Sequence, residues 1–263
     1  MQLHVVEWGD PGAPPVVCIH GVTGHAGRFR QLAEERWASR FHVVAVDLRG
    51  HGRSGWEPPF DYPTHVADLV ETIDALGLRQ PDWVGHSFGG RLILEIAARH
   101  PDRIRRAVLL DPAIHVISHI AEQSASAELA EGAYVWDSVE AYLASRGDAG
   151  GFDLPRAVAD VTEQVETLPD GRVRRLTAQE AIVSIYREIA TEPPPPDVLT
   201  MPTLLLYAPA FGLVRPAQVE AYGLHGVVEV PGMHMVMWAA FDETADAVER
   251  FLTADGSSTP GRS

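Results

Sequence analysis

Five short apolar runs in the first 111 residues, with longer stretches of helical period among them, leave few folds open to this chain of 263 residues. The runs are Leu3–Trp8, Val16–His20, His42–Leu48, Asp82–Gly85 and Ala107–Asp111, rich in Val, Ile or Leu and bounded by turn residues. Helical patterns lie at Phe29–Ser39, Pro63–Leu78 and Ser87–Arg99, the last with an apolar stripe of Leu92, Ile93, Ile96 and Ala97. Strands so continuously apolar have no solvent face, which predicts a mostly parallel sheet with helices on both faces. After Asp111 the pattern changes. Residues from about 114 to 192 read as helices only, with broken turns at Gly147–Gly151 and Pro169-Asp170-Gly171, and the stiff run Pro193–Pro196 follows. Strands at Thr203–Tyr207 and Val227–Val230 and a helix near Phe241–Leu252 resume the first pattern. The expected architecture is an α/β core in two parts, 1–113 and 198–252, with an inserted helical cap at 114–197 and a disordered tail at 253–263.

Charge and residue usage narrow the chemistry. The 21 basic residues stand against 36 acidic ones, a net charge of −15, so no basic face is expected for nucleic acid or an anionic membrane surface. No apolar run approaches the ~18 residues of a membrane span, and the N-terminus lacks a cationic segment followed by an apolar stretch. Cys18 is the one cysteine, set in Val16-Val17-Cys18-Ile19, where it reads as packing; with no internal disulfide available, a cytoplasmic protein is expected. All the basic residues are arginine, and the chain has no lysine and no asparagine. A Schiff-base lysine, a P-loop lysine and an N-glycosylation site are thereby excluded.

Gly85-His86-Ser87-Phe88-Gly89 fits G-x-S-x-G and falls between a strand end and a helix start. A serine lifted above a sheet on such a turn is a candidate nucleophile. Serine needs an adjacent base. Among twelve histidines, His234 is selected by its place after the last strand, in Val230-Pro231-Gly232-Met233-His234.

With these motifs the chain resembles the α/β-hydrolase fold superfamily over roughly residues 1–252. His20-Gly21 resembles the family's oxyanion loop, and Asp47-Leu48-Arg49-Gly50-His51-Gly52-Arg53-Ser54 resembles a loop that in relatives is usually structural. Gly85–Gly90 resembles the nucleophile elbow, and His234 sits in a stretch similar to the histidine loop. The resemblance implies that the backbone N–H groups of Val22 and Phe88 form the oxyanion hole. The sequence departs from the common pattern at the acid. Most relatives carry a carboxylate after the next-to-last strand, where this chain has Ala208-Pro209-Ala210-Phe211. A variant pattern, seen in haloalkane dehalogenases, takes the acid from the strand after the nucleophile helix. Asp111, in Leu109-Leu110-Asp111-Pro112, matches that place, with Asp137 a distant second. A carboxylate introduced at 211 would stand where most relatives carry theirs. Dehalogenases and epoxide hydrolases need an aspartate at the nucleophile position, which here is Ser87.

The apolar and aromatic residues Tyr134, Trp136, Tyr186 and Trp238 are the expected substrate lining, with Ile114, Ile117, Ile120, Val135, Tyr142 and Met237 beside them. His115 and His119 stand at i, i+4, a spacing that would share a helix face, but no H-E-x-x-H frame accompanies them and no metal site is expected. The resemblance implies a cofactor-free serine hydrolase acting on a small hydrophobic carboxylic ester or lactone through an acyl-enzyme, as a monomer or homodimer. Haloperoxidase or perhydrolase activity, C–C bond hydrolysis and acyl transfer use the same triad. A catalytically weak hydrolase fold serving as ligand receptor or scaffold is the alternative of another class.

Overall fold

The computed structural model describes residues 1–132, 134–146, 155–223 and 225–254. In chain order the first part holds β1 (Val5–Trp8), β2 (Pro15–Ile19), α1 (Arg30–Leu32), β3 (His42–Val46), α2 (Tyr62–Ala75), β4 (Asp82–His86), α3 (Phe88–Arg99) and β5 (Ala107–Leu110). Then come α4 (Ser118–Ala130), β6 (Val135–Trp136), α5 (Val139–Arg146), α6 (Pro155–Glu163), β7 (Val165–Thr167), β8 (Val173–Arg175) and α7 (Gln179–Glu188). The last part holds β9 (Thr203–Tyr207), α8 (Pro216–Tyr222), β10 (Val227–Glu229), α9 (Val236–Ala239) and α10 (Phe241–Thr253).

The main sheet has seven strands in the order β1-β3-β2-β4-β5-β9-β10, and every pair is parallel except β1 with β3. Successive strand residues point to opposite faces, and the core divides accordingly. Val16, Cys18, Val43, Ala45, Val84, Val108 and Leu110 face Phe29, Trp37, Val236 and Phe241. Val17, Ile19, Val46, Trp83, Ala107, Leu109 and Leu205 face Leu69, Ile73, Leu92 and Ile93 of α2 and α3. Both sheet faces are thus covered, as the unbroken apolar runs required. The stretch expected as a helix over Phe29–Ser39 is composite: a 3-10 turn at Ala26–Phe29, then α1, then a π turn at Ala33–Trp37 closed by Ala38 N–H to the Ala33 carbonyl at 2.8 Å.

The segment between β5 and β9 is not helical throughout. It contains a three-stranded antiparallel sheet in the order β6-β8-β7. Pro169-Asp170-Gly171, expected as a break between helices, is instead a hairpin turn: Gly171 adopts φ 86°, and Leu168 N–H reaches the Arg172 carbonyl at 2.7 Å. Strands of two and three residues are too short to show a period of two. Arg91 of α3, fully buried, ties the ends of this segment together: its guanidinium donates to the carbonyls of Ile114 (2.5 Å), Thr191 (3.3 Å) and Glu192 (2.9 Å). Asp160 of α6 fastens its middle to the core through an ion pair with the Arg28 guanidinium (Nε at 2.8 Å) and a hydrogen bond with His25 Nε2 (3.1 Å). Removing one partner of so buried a pair costs about 3–5 kcal/mol.

Among the described residues no helix is long and apolar enough to cross a membrane. Of the expected tail, Thr253 ends α10 and 255–263 lie outside the described residues, as does the break expected at Gly147–Gly151. Helix α4 begins at Ser118, so His115 precedes it and does not share a helix face with His119.

Candidate active site

The parallel register sets the ends of three strands side by side. His86 pairs with Leu110 across β4 and β5, and Leu110 with Leu206 across β5 and β9. Ser87, Asp111 and Ala208 therefore emerge on one edge, the carboxyl end of the sheet, where open α/β sheets bind ligands.

Ser87 sits between β4 and α3 with φ 55° and ψ −115°, a strained conformation for a residue with a Cβ. Its neighbours make the turn possible. A Cβ on Gly85 would lie 2.4 Å from the Gly89 carbonyl carbon, and one on Gly89 would lie 2.2 Å from the Ile19 carbonyl oxygen. Both glycines are steric requirements. Ser87 N–H is held by the Leu110 carbonyl at 3.0 Å.

Asp111, fully buried and with φ 38°, accepts from His234 Nδ1–H at 2.6 Å through Oδ2 and from the Ala208 N–H at 3.2 Å through Oδ1. Both oxygens are occupied, so the carboxylate fixes the imidazole ring and leaves Nε2 as the free nitrogen. Phe211, at the place where most relatives carry an acid, stacks on the face of His234 with ring centroids 4.8 Å apart and planes at 16°. Asp137 is exposed. The structure thus brings Asp111, and not Asp137, to His234.

Three further histidines, none of them given a role by the sequence motifs that contain them, organise the same ground. His86 Nε2–H donates to the His234 carbonyl at 3.0 Å, with the two rings 4.6 Å apart. Burial, and then the neighbouring His234, hold the His86 pKa well below the usual histidine value, so it is a neutral donor. His20 accepts the Leu48 N–H at Nε2 (3.0 Å), which puts its proton on Nδ1, and that proton goes to the Gly21 carbonyl (2.7 Å). His51 Nε2–H donates to the Val22 carbonyl at 2.6 Å. In a trans peptide the C=O and N–H point oppositely, so fixing the Gly21 carbonyl fixes the direction of the Val22 N–H. Gly21 itself lies against Ser87; a Cβ there would be 2.9 Å from the serine Cβ. The Phe88 N–H, at the first residue of α3, has no acceptor within its helix. Asp47 and Arg49 brace the loops behind: Asp47 accepts from Ala26 N–H (2.7 Å) and Arg53 N–H (3.0 Å), and Arg49 Nε pairs with Asp68 at 2.7 Å.

The four expected lining residues fall in one pair and two single positions. Tyr134 and Trp136 stack with centroids 6.4 Å apart, and Trp136 packs on Tyr142 at 4.5 Å. Trp238, in α9 just past His234, is buried with the Arg28 guanidinium 4.9 Å over its ring. Tyr186 lies in α7, half-buried against the core. Ile117 and Ile120 are exposed instead. Sequence reasoning missed the buried pairs Arg28–Asp160 and Arg175–Glu128, since charges at distant positions carry no local pattern.

The family described as alpha/beta hydrolase fold matches residues 14–139. Lipase LipV of Mycobacterium tuberculosis is 34% identical over 206 residues, covering 78% of each chain. The chain belongs to the α/β-hydrolase fold superfamily. A second relative in it, 2-(acetamidomethylene)succinate hydrolase of Mesorhizobium japonicum, is 31% identical over 97% of this chain and 92% of its own. The crystal structure of E-2-(acetamidomethylene)succinate hydrolase superposes with a TM-score of 0.83 at 27% identity, covering 96% of this chain and 95% of that one. Membership with such relatives makes this an enzyme of hydrolase type.

Proposed function

We propose that the protein is a serine hydrolase that cleaves a small hydrophobic carboxylic ester or lactone through an acyl-enzyme. The observation that carries this reading is the 2.6 Å bond from His234 Nδ1–H to buried Asp111, on the same edge of the sheet as a serine on a strained strand-to-helix turn. Ser87 Oγ attacks the carbonyl while its proton passes to His234 Nε2, and the Val22 and Phe88 N–H groups receive the oxyanion. The tetrahedral species collapses, the C–O bond to the leaving group breaks, and His234 returns the proton to the departing alkoxide. Water then loses a proton to His234 and attacks the acyl carbon, which frees the acid and restores the serine. Asp111 holds the imidazole ring and stabilises its protonated form throughout.

Segment 114–197 acts in this reading as a cap over the two core parts, 1–113 and 198–252, with Tyr134, Trp136, Tyr186 and Trp238 lining the site. The single cysteine, free and buried, supports placing the enzyme in the cytoplasm. Two measurements on the pure protein test the proposal. A fluorophosphonate probe is expected to label Ser87, and a panel of p-nitrophenyl esters, aryl esters and acyl lactones is expected to show turnover without added cofactor. Absence of both labelling and turnover would favour the receptor or scaffold reading instead.

A further inference from the structure

Among the described residues three non-glycine positions have positive φ: Ser87 (55°), Asp111 (38°) and Tyr134 (53°). Two belong to the proposed catalytic triad. Such strain persists only where the surroundings enforce it, and it concentrates at functional sites. Tyr134 packs its ring on the guanidinium of Arg175, whose Cζ lies 3.7 Å from the ring centroid. Arg175 is fully buried with the Tyr142 hydroxyl beside it, yet its Nε and Nη1 make no well-aligned hydrogen bond, and neither does Oγ1 of buried Thr177.

Thr177 is linked to the oxyanion loop through His51. Thr177 pairs with His51 in an antiparallel bridge, and opposed residues of such a bridge project to the same side. The His51 side chain on that side holds the Val22 carbonyl. Burial alternates from Arg175 (buried) through Leu176 (half-buried) to Thr177 (buried), which puts Arg175 and Thr177 on one side of the chain. The Arg175 charge acts on the His51 imidazole.

The charge balance selects the ligand. Arg175 Nη2 is already paired with Glu128, which also accepts from the Tyr134 hydroxyl, and Glu131 Oε2 stands 4.0 Å from Nη1. Another carboxylate here would meet two existing ones across a single cation. A neutral oxygen would not, and it would satisfy donors whose burial without a partner is otherwise costly. We propose that Arg175 and Thr177 form a polar subsite for a second, neutral carbonyl oxygen of the substrate, so that the preferred acyl group is a keto- or amido-acyl chain rather than a plain alkyl one. This rests on the hydrolase reading above.

The test is a ladder of p-nitrophenyl esters of one chain length, with a ketone walked along the acyl chain, compared with the plain alkyl ester and a carboxylate-tipped ester. In the wild type one ketone isomer is expected to exceed the alkyl ester in kcat/KM by about 10-fold or more, the worth of a hydrogen bond to a charged donor. Thr177→Val and Arg175→Lys are expected to pull that ratio back toward one, and where Arg175→Lys does not fold by circular dichroism, Thr177→Val decides. Calorimetric binding of the same ketone and alkyl esters to Ser87→Ala protein reads the subsite without turnover. A ketone preference in binding by a wild type that hydrolyses nothing sinks the hydrolase reading and keeps the subsite. No ketone preference in binding or turnover, a preference unmoved by Thr177→Val, or preference for the carboxylate-tipped ester overturns the subsite.

Discussion

Replacing Asp111 by Asn separates the charge of the acid from its shape. The carboxylate fills two acceptor roles, toward His234 Nδ1–H at 2.6 Å and toward Ala208 N–H at 3.2 Å. An amide has one oxygen and can fill only one of them. If its oxygen turns to Ala208, the NH2 group meets Nδ1, the ring proton moves to Nε2, and the nitrogen proposed to serve as base can no longer accept a proton. If the oxygen turns to His234, two donors collide at Ala208 and the imidazolium formed during attack loses its counter-charge. Either way turnover falls, by roughly 10²–10⁴ in kcat/KM, or about 3–5 kcal/mol of transition-state stabilisation. Asn also tolerates the left-handed backbone, so the φ of 38° is no obstacle to folding. The assay is p-nitrophenyl ester hydrolysis by Asp111→Asn and Asp137→Asn side by side, with thermal melts as the folding control. Retained turnover in Asp111→Asn together with its loss in Asp137→Asn would refute the assignment. The sequence alone suggests that adding Phe211→Asp to Asp111→Asn would restore part of the activity; the structure corrects this to no restoration, because residue 211 addresses the face of the imidazole and not the edge that carries Nδ1.

Ser87→Ala is expected to lower ester turnover by on the order of 10⁴ or more with an unchanged melting curve, since nucleophile loss disables the whole triad. Turnover is expected to be indifferent to EDTA, because nucleophile, base and oxyanion donors all come from the chain; loss in EDTA with recovery on adding zinc would contradict this. His65, buried against Phe88 with both ring nitrogens unpartnered, has its pKa pushed down to about 3 by burial. Its folded pKa lies below its unfolded one, so the unfolded state binds the extra proton and stability is lost as pH falls below about 6.5. From pH 7 to pH 5 this one group removes about 2 kcal/mol. His65→Phe is therefore expected to flatten the urea-denaturation stability profile over that range by about that amount, and an unchanged slope would show that His65 is not buried neutral. Asp82, pushed up to about 6 by burial, contributes the opposite slope between about pH 4 and pH 6 in both proteins and cancels from the comparison.

What the sequence determined by itself is what local pattern can encode. Unbroken apolar runs required a sheet covered on both faces, and the glycines around Ser87 required a turn in which a Cβ at 85 or 89 would strike backbone. The place of Asp111 after its strand was legible too, because parallel register converts position along a strand into position along one edge. The hairpin at Pro169–Gly171 was not, since its strands are shorter than one readable period. Nor was the choice of groups that surround the site. His86 on the His234 carbonyl, His51 on the Val22 carbonyl, and Arg175 with Glu128 join residues 148, 29 and 47 positions apart, and their roles depend on burial and tautomer. A hydrogen bond's partner is decided by which chain segments meet when the layers pack, and only the tertiary structure supplies that.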